Sequence, residues 1–447
     1  MSKSRLSRKL ILKEDKKTAV LYLVQSPRRL FFLIFGVTLG LGLFVQLIFL
    51  PHIAPHLHHG FGILAGDDSI KTDAHALARY GSLMEKGWSG WRANRPGRPM
   101  ESIGAVVYYL TTPWPFVVLP FQALFFAAAS VCLFLLLRAF ALSGSVALLA
   151  ALPFLLSPSS VLAYSGLLKD ALDYLGVCLF LLSWVAFFSK SENKGEILRS
   201  LCGSLFASAI ISYTRPHVVP TLMIFSIGAL GVALLSRSFH QRKVMGIVVL
   251  GILLHLGTFL ILPKHFNPAR TEVPDDYHPQ GNETYTWTPT SWLPQPIDHL
   301  FNIISRTRRG YLFEAATAST SLDVHTVWTK STDVIGYFPR AVQLFLFAPF
   351  PDQWFSSSSA PTSRLFRLVG ALHMMLFYLS LPFLVLFIIF WRRSKAMWFV
   401  FLFCLTQMMM QALVQVNMGT LFRQRFLYQQ ILVGFAILEC VRRLRTR

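Results

Sequence analysis

Acidic residues are scarce in this chain: 21 Asp and Glu stand against 42 Lys and Arg among 447 residues, a formal net charge of +21. Charge of any sign is thin as well, at 14% of residues. Soluble domains carry it on about a quarter. The five cysteines, Cys132, Cys178, Cys202, Cys404 and Cys440, all lie in or at the end of apolar runs, and no CxxC occurs. They read as packing residues and indicate neither a disulfide framework nor a metal site. The GxGxxG, Walker, HExxH and GxSxG patterns are absent, so none of the common nucleotide, zinc-protease or serine-hydrolase signatures is available. No repeat of fixed period and no low-complexity segment stands out.

What the chain has in quantity is apolar length. Hydrophobic residues make up 54%, and several runs approach or exceed the roughly 20 residues that cross a bilayer as a helix. Backbone groups in lipid must be satisfied internally, which selects helices. The fold class expected is therefore an all-α polytopic membrane protein with about ten transmembrane helices. The spans read as 30–50, 115–137, 144–164, 171–189, 199–213, 218–236, 244–262, 366–391, 396–416 and 426–441. Pro153 and Pro158 predict a kinked or broken third span. Residues 1–29 form a basic arm, and the run 30–50 is longer than a signal-peptide core, so it reads as an uncleaved anchor.

Basic residues sit mostly in short segments between the apolar runs, which fits the positive-inside rule better than a nucleic-acid surface. The N-terminal arm, 189–199, 236–243, 391–395 and the tail 442–447 alternate along the ten spans and are rich in Lys and Arg. They are expected to be cytoplasmic, with both termini inside. The first outer loop 51–114, the turns near Lys169 and Arg215, the long loop 263–365 and the turn 417–425 then face outward. The membrane domain reads as 30–262, with C-terminal membrane helices over 366–441. Within the long loop, 339–355 is apolar but proline-interrupted, and it reads as a re-entrant or interfacial segment.

The outward set gathers charges from distant segments. Asp67 and Asp68 follow the first span; Lys169 and Asp170 stand between the third and fourth. Arg215 and His217 lie between the fifth and sixth, and Arg423 and Arg425 precede the last. Arg and Lys suit a phosphate, and a carboxylate can serve as a general base toward a hydroxyl. Each residue also has a structural reading. Asp67 and Asp68 suit a helix cap, Lys169 and Asp170 a span boundary, and His217 an interfacial histidine. Asp275, Asp276 and His278 could ligate a metal but suit a polar loop better, so no metal site is indicated and metal dependence stays open.

After the two aspartates, Leu77, Tyr80, Met84, Trp88 and Trp91 recur at three- and four-residue steps. They predict an amphipathic helix on the outer surface, with Thr72 as N-cap and Gly87 as C-cap. The same stripe would serve a helix packed on the spans themselves.

A short basic N-terminus, one span, and an outer loop with an acidic pair and a surface helix together resemble the GT-C glycosyltransferases. The stretches SGLLKDAL (165–172), YFPRAVQLFLFAPFPDQWF (337–355) and NMGTLFRQRF (417–426) are similar to segments of bacterial membrane proteins of surface-polysaccharide assembly. The chain departs from the family members that carry a large soluble C-terminal domain.

The resemblance implies an inverting transfer from a polyprenyl-phosphate-linked sugar donor to a glycan or lipid-linked acceptor, at the outer face of a bacterial inner membrane. Asp67 or Asp68 would take the acceptor proton. Lys169, Arg215, Arg423 and Arg425 would hold the phosphate, with Asp170 and His217 as further candidates. The lipid bilayer is a partner and nucleic acid is not. Two other readings stay open: an O-antigen-type polymerase or ligase, and a lipid-linked-sugar flippase.

Overall fold

The computed structural model describes residues 26–66, 68–91, 97–189, 194–235, 249–251, 253–257, 286–315, 321–355 and 361–446. Helices dominate. The strands among the described residues are β1 (His58–Gly60) and β2 (Ile63–Leu64), an antiparallel pair. Among the described residues, seven helices are long and apolar enough to cross a membrane: Pro27–Ile53, Pro115–Arg138, Asp170–Ser189, Lys194–Thr214, Pro216–Leu234, Arg364–Trp391 and Lys395–Val414. Gly144–Leu156 and Pro158–Ser165 pass the same test together as a broken pair bent by 63°, which counts as an eighth when taken as one span. The chain is an all-α multi-pass membrane protein.

The break falls at Ser157, before Pro158, whose ring disfavours a helical residue ahead of it. Ser157 accepts from the Ser159 amide and so caps the second half. Pro153 sits inside the first half without ending it. Of the other expected spans, 244–262 lies largely outside the described residues, with 249–251 and 253–257 helical. The segment 426–441 belongs to a longer helix, Met418–Thr446, which is not among the seven. Its run is diluted by Arg423, Arg425, Gln429, Gln430 and Glu439.

The chain divides into two units. The first comprises Met1–Phe266, Leu379–Phe401 and Gln430–Arg447; the second comprises Asn267–Tyr378 and Leu402–Gln429.

The first unit is built from α1 (Pro27–Phe44), α2 (Ser69–Lys86), α3 (Pro99–Leu110), α4 (Leu119–Arg138), α5 (Gly144–Leu156), α6 (Pro158–Ser165), α7 (Asp170–Ser189), α8 (Lys194–Thr214) and α9 (Val219–Leu234). α7 is central: 72% of its apolar window is buried, against 28% for the first span. It packs between α4 and α8. Gly176 admits Ile210 and Ile211, since a Cβ there would lie 2.8 Å from the Ile211 side chain. α1 buries only a thin stripe, Leu30, Ile34, Thr38 and Gly42, against α4. Its remaining apolar faces stay exposed, as suits a lipid-facing helix.

The second unit contains α10 (Gln295–Ala315), α11 (Ser331–Gly336) and α12 (Phe338–Phe347), with parts of α13 (Pro361–Trp391), α14 (Lys395–Val414) and α15 (Met418–Thr446). α12 has 10 residues, which at 1.5 Å each reach only about half of a bilayer core. It is too short to span.

Two fully buried arginines organise this unit. Arg308 donates to the carbonyls of Leu413 (3.1 Å) and Asp323 (3.0 Å), between the rings of Trp328 and Tyr337, each 4.9 Å away. Arg425 donates to the carbonyls of Leu344 (2.5 Å) and Phe345 (2.8 Å), near the end of α12. Each places positive charge on a helix C-terminus, where unpaired carbonyls and the helix dipole favour it.

A polar network closes the loops of the same unit. Asp298 accepts from Trp287 (2.9 Å), the Thr290 amide (3.0 Å) and Ser331 (2.7 Å). Those bonds, led by Trp287 and Ser331, hold its carboxyl below the usual value. Partial burial pushes the Asp323 carboxyl up, but hydrogen bonds from Arg340 and Tyr337 outweigh that and leave it depressed.

A carboxylate with a depressed folded pKa stabilises the fold above its unfolded value and loses that contribution as pH falls through the folded one. The second unit is therefore expected to loosen below about pH 4, the unfolded carboxylate value. Fluorescence-detected acid titration should show that transition flattened in the Asp298→Asn, Asp323→Asn double variant. An unchanged transition would remove these two acids as its cause.

Candidate functional site

The candidate site lies at one end of the first unit, where four segments meet. α2 begins at Ser69, with Asp68 at the N-cap position and exposed. The helix thus starts ahead of Thr72, whose hydroxyl bonds the Asp68 carbonyl from inside the first turn at 3.1 Å. Gly87 ends it with φ of +57°, a conformation that suits glycine. Asp67 lies outside the described residues.

The inward face of α2 is Ser69, Asp73, Ala76 and Leu83, packed on α3. The expected apolar stripe divides. Tyr80 packs against the core around Ala76, Met100 and Tyr108, while Leu77, Met84, Trp88 and Trp91 are exposed. Trp88 meets the ring of Tyr109 on α3 edge-on at 5.5 Å, so part of the stripe packs on the protein itself, and Leu77, Met84 and Trp91 form the exposed apolar edge.

Asp73 is the one acid on the buried face of α2. Tyr108 donates to it at 2.5 Å. Burial pushes the Asp73 carboxyl above its usual value, against the hydrogen bond that lowers it, and the Tyr108 hydroxyl is pushed up too.

Below this helix pair the charges predicted at two span edges come together. Arg215, 3% exposed, contacts Asp170 at 3.0 Å and Asp173 at 2.7 Å. Thr214 donates to Asp173 at 3.1 Å. Half-buried Lys169 donates to the Gly97 carbonyl at 2.7 Å, and the Gly97 amide donates to Tyr213 at 2.8 Å. Gly97 has φ of +92°, where a side chain would strain the backbone.

Tyr213 hydrogen-bonds Ser102, and Arg79 lies within electrostatic reach of it. Glu101 sits 3.7 Å from Arg79 and 3.4 Å from Arg98. His217 is exposed and close enough to Lys169 and Arg215 to interact with their charges. Two buried span glutamines fix the turn that carries Lys169. Gln122 donates to the carbonyls of Gly166 (3.0 Å) and Leu168 (2.7 Å), and Gln46 donates to that of Ser165 (2.6 Å).

The structure thus brings Lys169, Asp170, Arg215 and His217 together and adds Asp173, Thr214, Gly97 and the α2–α3 pair. Arg423 and Arg425 belong to the second unit. Arg423 is half-buried on α15, and Arg425 presents its guanidinium to the α12 carbonyls.

The spacing of Asp173 was a readable signal. It stands three residues after Asp170, so both carboxylates share one face of α7. Such a pair could hold a cation, and here the Arg215 guanidinium takes that place. Among the described residues, no group of three His, Cys, Asp or Glu side chains is placed to hold a metal. Asp275, Asp276 and His278 lie outside them. No family model and no curated protein matches this sequence.

Proposed function

We propose that the chain is an integral-membrane, GT-C-like inverting glycosyltransferase that works at the outer face of a bacterial inner membrane, with both termini cytoplasmic. The observation that carries this reading is the meeting of the first-loop helix pair with the Lys169–Asp170–Asp173–Arg215 cluster at one end of a lipid-facing bundle. A lipid-linked donor would keep its tail in the bilayer and its phosphate at the depth of that cluster.

In the reaction, Asp67 or Asp68 removes the proton of an acceptor hydroxyl. That oxygen attacks the anomeric carbon from the face opposite the leaving group. The bond from carbon to phosphate oxygen breaks, and the polyprenyl phosphate departs as an anion. Lys169, more accessible than Arg215, is the cation assigned to that phosphate. Arg215 orders the two acids beside it. Arg423 and Arg425, expected to join the phosphate site, have no assigned role in the transfer.

The test is direct. Purified full-length protein in vesicles is given polyprenyl-phosphate-linked sugars with lipid-linked glycan acceptors, and free polyprenyl phosphate is measured. Acceptor-dependent release is expected with at least one donor. Absence of release across donors that serve authentic GT-C enzymes in the same vesicles would overturn the assignment.

A further inference from the structure

The helix α2 carries a third face that the transfer reaction does not use. His75, Ala78, Arg79, Ser82 and Lys86 recur at three- and four-residue steps and line one wall of a cleft of about 440 Å³. That volume is within the range of small-molecule sites. Ser89 and Gly90, on the turn after the helix, form the other wall.

The turn folds back tightly. Ser82 donates to the Gly90 carbonyl at 3.4 Å and Ser89 to the Lys86 carbonyl at 2.6 Å. A Cβ on Gly90 would lie 2.4 Å from the Ser82 carbonyl oxygen, so this closure requires glycine. The two hydroxyl protons are therefore used inside the wall.

The charge balance favours an anion. Arg79 and Lys86 line the cleft with no acid beside them in its lining, and Glu101, outside it, is shared between Arg79 and neighbouring Arg98. Glu85 lies on the adjoining face and does not line the cleft. Arg79 and Lys86 together supply the fork and the point charge with which proteins hold phosphate oxygens.

The side of approach follows from helix geometry. At 3.6 residues per turn, the exposed apolar residues Leu77 and Met84 lie roughly 150° around the helix from Ser82. With that apolar edge on the membrane, the cleft opens to water.

We propose that this cleft is a binding site for a phosphate-bearing anion that arrives from the aqueous side, independent of whether the chain transfers sugars. The probe is inorganic pyrophosphate, titrated calorimetrically into the full-length protein in phosphatidylcholine nanodiscs. Saturable binding is expected. The Arg79→Gln, Lys86→Gln double variant should bind about ten-fold more weakly, about 1.4 kcal/mol. Lys71→Gln, on the same helix but off the cleft, should bind as the wild type does.

Lys86 is exposed, so Lys86→Gln alone gives a weakened variant whose folding is not at risk. The titration is repeated in discs containing phosphatidylglycerol. Surface potential shifts both proteins alike, so the affinity ratio isolates the cleft, and it should be retained. A ratio that collapses to one there would place a lipid headgroup in the cleft and overturn the aqueous source. Absence of saturable binding, equal affinity in the double variant, or equal loss in Lys71→Gln would overturn the site itself.

Discussion

Arg215→Ala is expected to destabilise the protein by about 3–5 kcal/mol, the cost of breaking a buried ion pair from one side. The guanidinium stands between Asp170 and Asp173, and all three side chains are almost wholly buried. Without it, two carboxylates would share a desolvated space, with Lys169 turned partly to the Gly97 carbonyl. The expected observation is a lowered thermal transition in detergent and poor recovery of folded protein. A combined Asp170→Asn, Asp173→Asn, Arg215→Gln variant removes the charges together and keeps hydrogen-bonding groups in place, so it should regain most of the lost stability. A direct phosphate clamp predicts the reverse pattern, with a stable Arg215→Ala protein that binds donor weakly. Full stability of the single variant would therefore return Arg215 to the phosphate.

The contrast between these outcomes shows what the sequence can and cannot carry. Lys169, Asp170 and Arg215 stand out because each interrupts an apolar stretch at a span edge. Which of them pair depends on how α7 and α8 pack, and apolar runs encode that packing poorly. The proline break near Ser157 and the glycine end of α2 were legible because backbone sterics act locally. The direction of the Leu77–Met84 edge was not, since lipid and protein interiors ask for the same side chains.

Asp73 was hidden for a related reason. An acid five residues after Asp68 looks like one more polar position on a surface helix, until α3 supplies Tyr108 to face it. Arg425, read from the sequence as preceding the last span, stands inside α15. No proline or glycine separates it from the apolar run that follows, so α15 extends through it, and its charge serves the end of α12.

The largest effect on turnover is expected from the first-loop acids. In the proposed reaction, removing the general base lowers the rate by about 10²–10⁴-fold. That loss should appear in either Asp67→Asn or Asp68→Asn, with donor affinity unchanged. Asp68 is exposed at the start of α2, where an acceptor hydroxyl can approach without disturbing the core. Asp73→Asn is the matched control.

Burial raises the Asp73 pKa, so ionisation of this group opposes folding as pH rises through the unfolded value. An uncharged amide lifts that penalty and can still accept the Tyr108 hydrogen bond. The Asp73→Asn protein should therefore be at least as thermally stable as the wild type near neutral pH and should keep its transfer rate. Full activity in both Asp67→Asn and Asp68→Asn would end the proposal that either is the base. If Asp73→Asn alone lost activity while remaining folded, the proton acceptor would be the buried acid facing Tyr108, and the acceptor hydroxyl would have to reach it between α2 and α3.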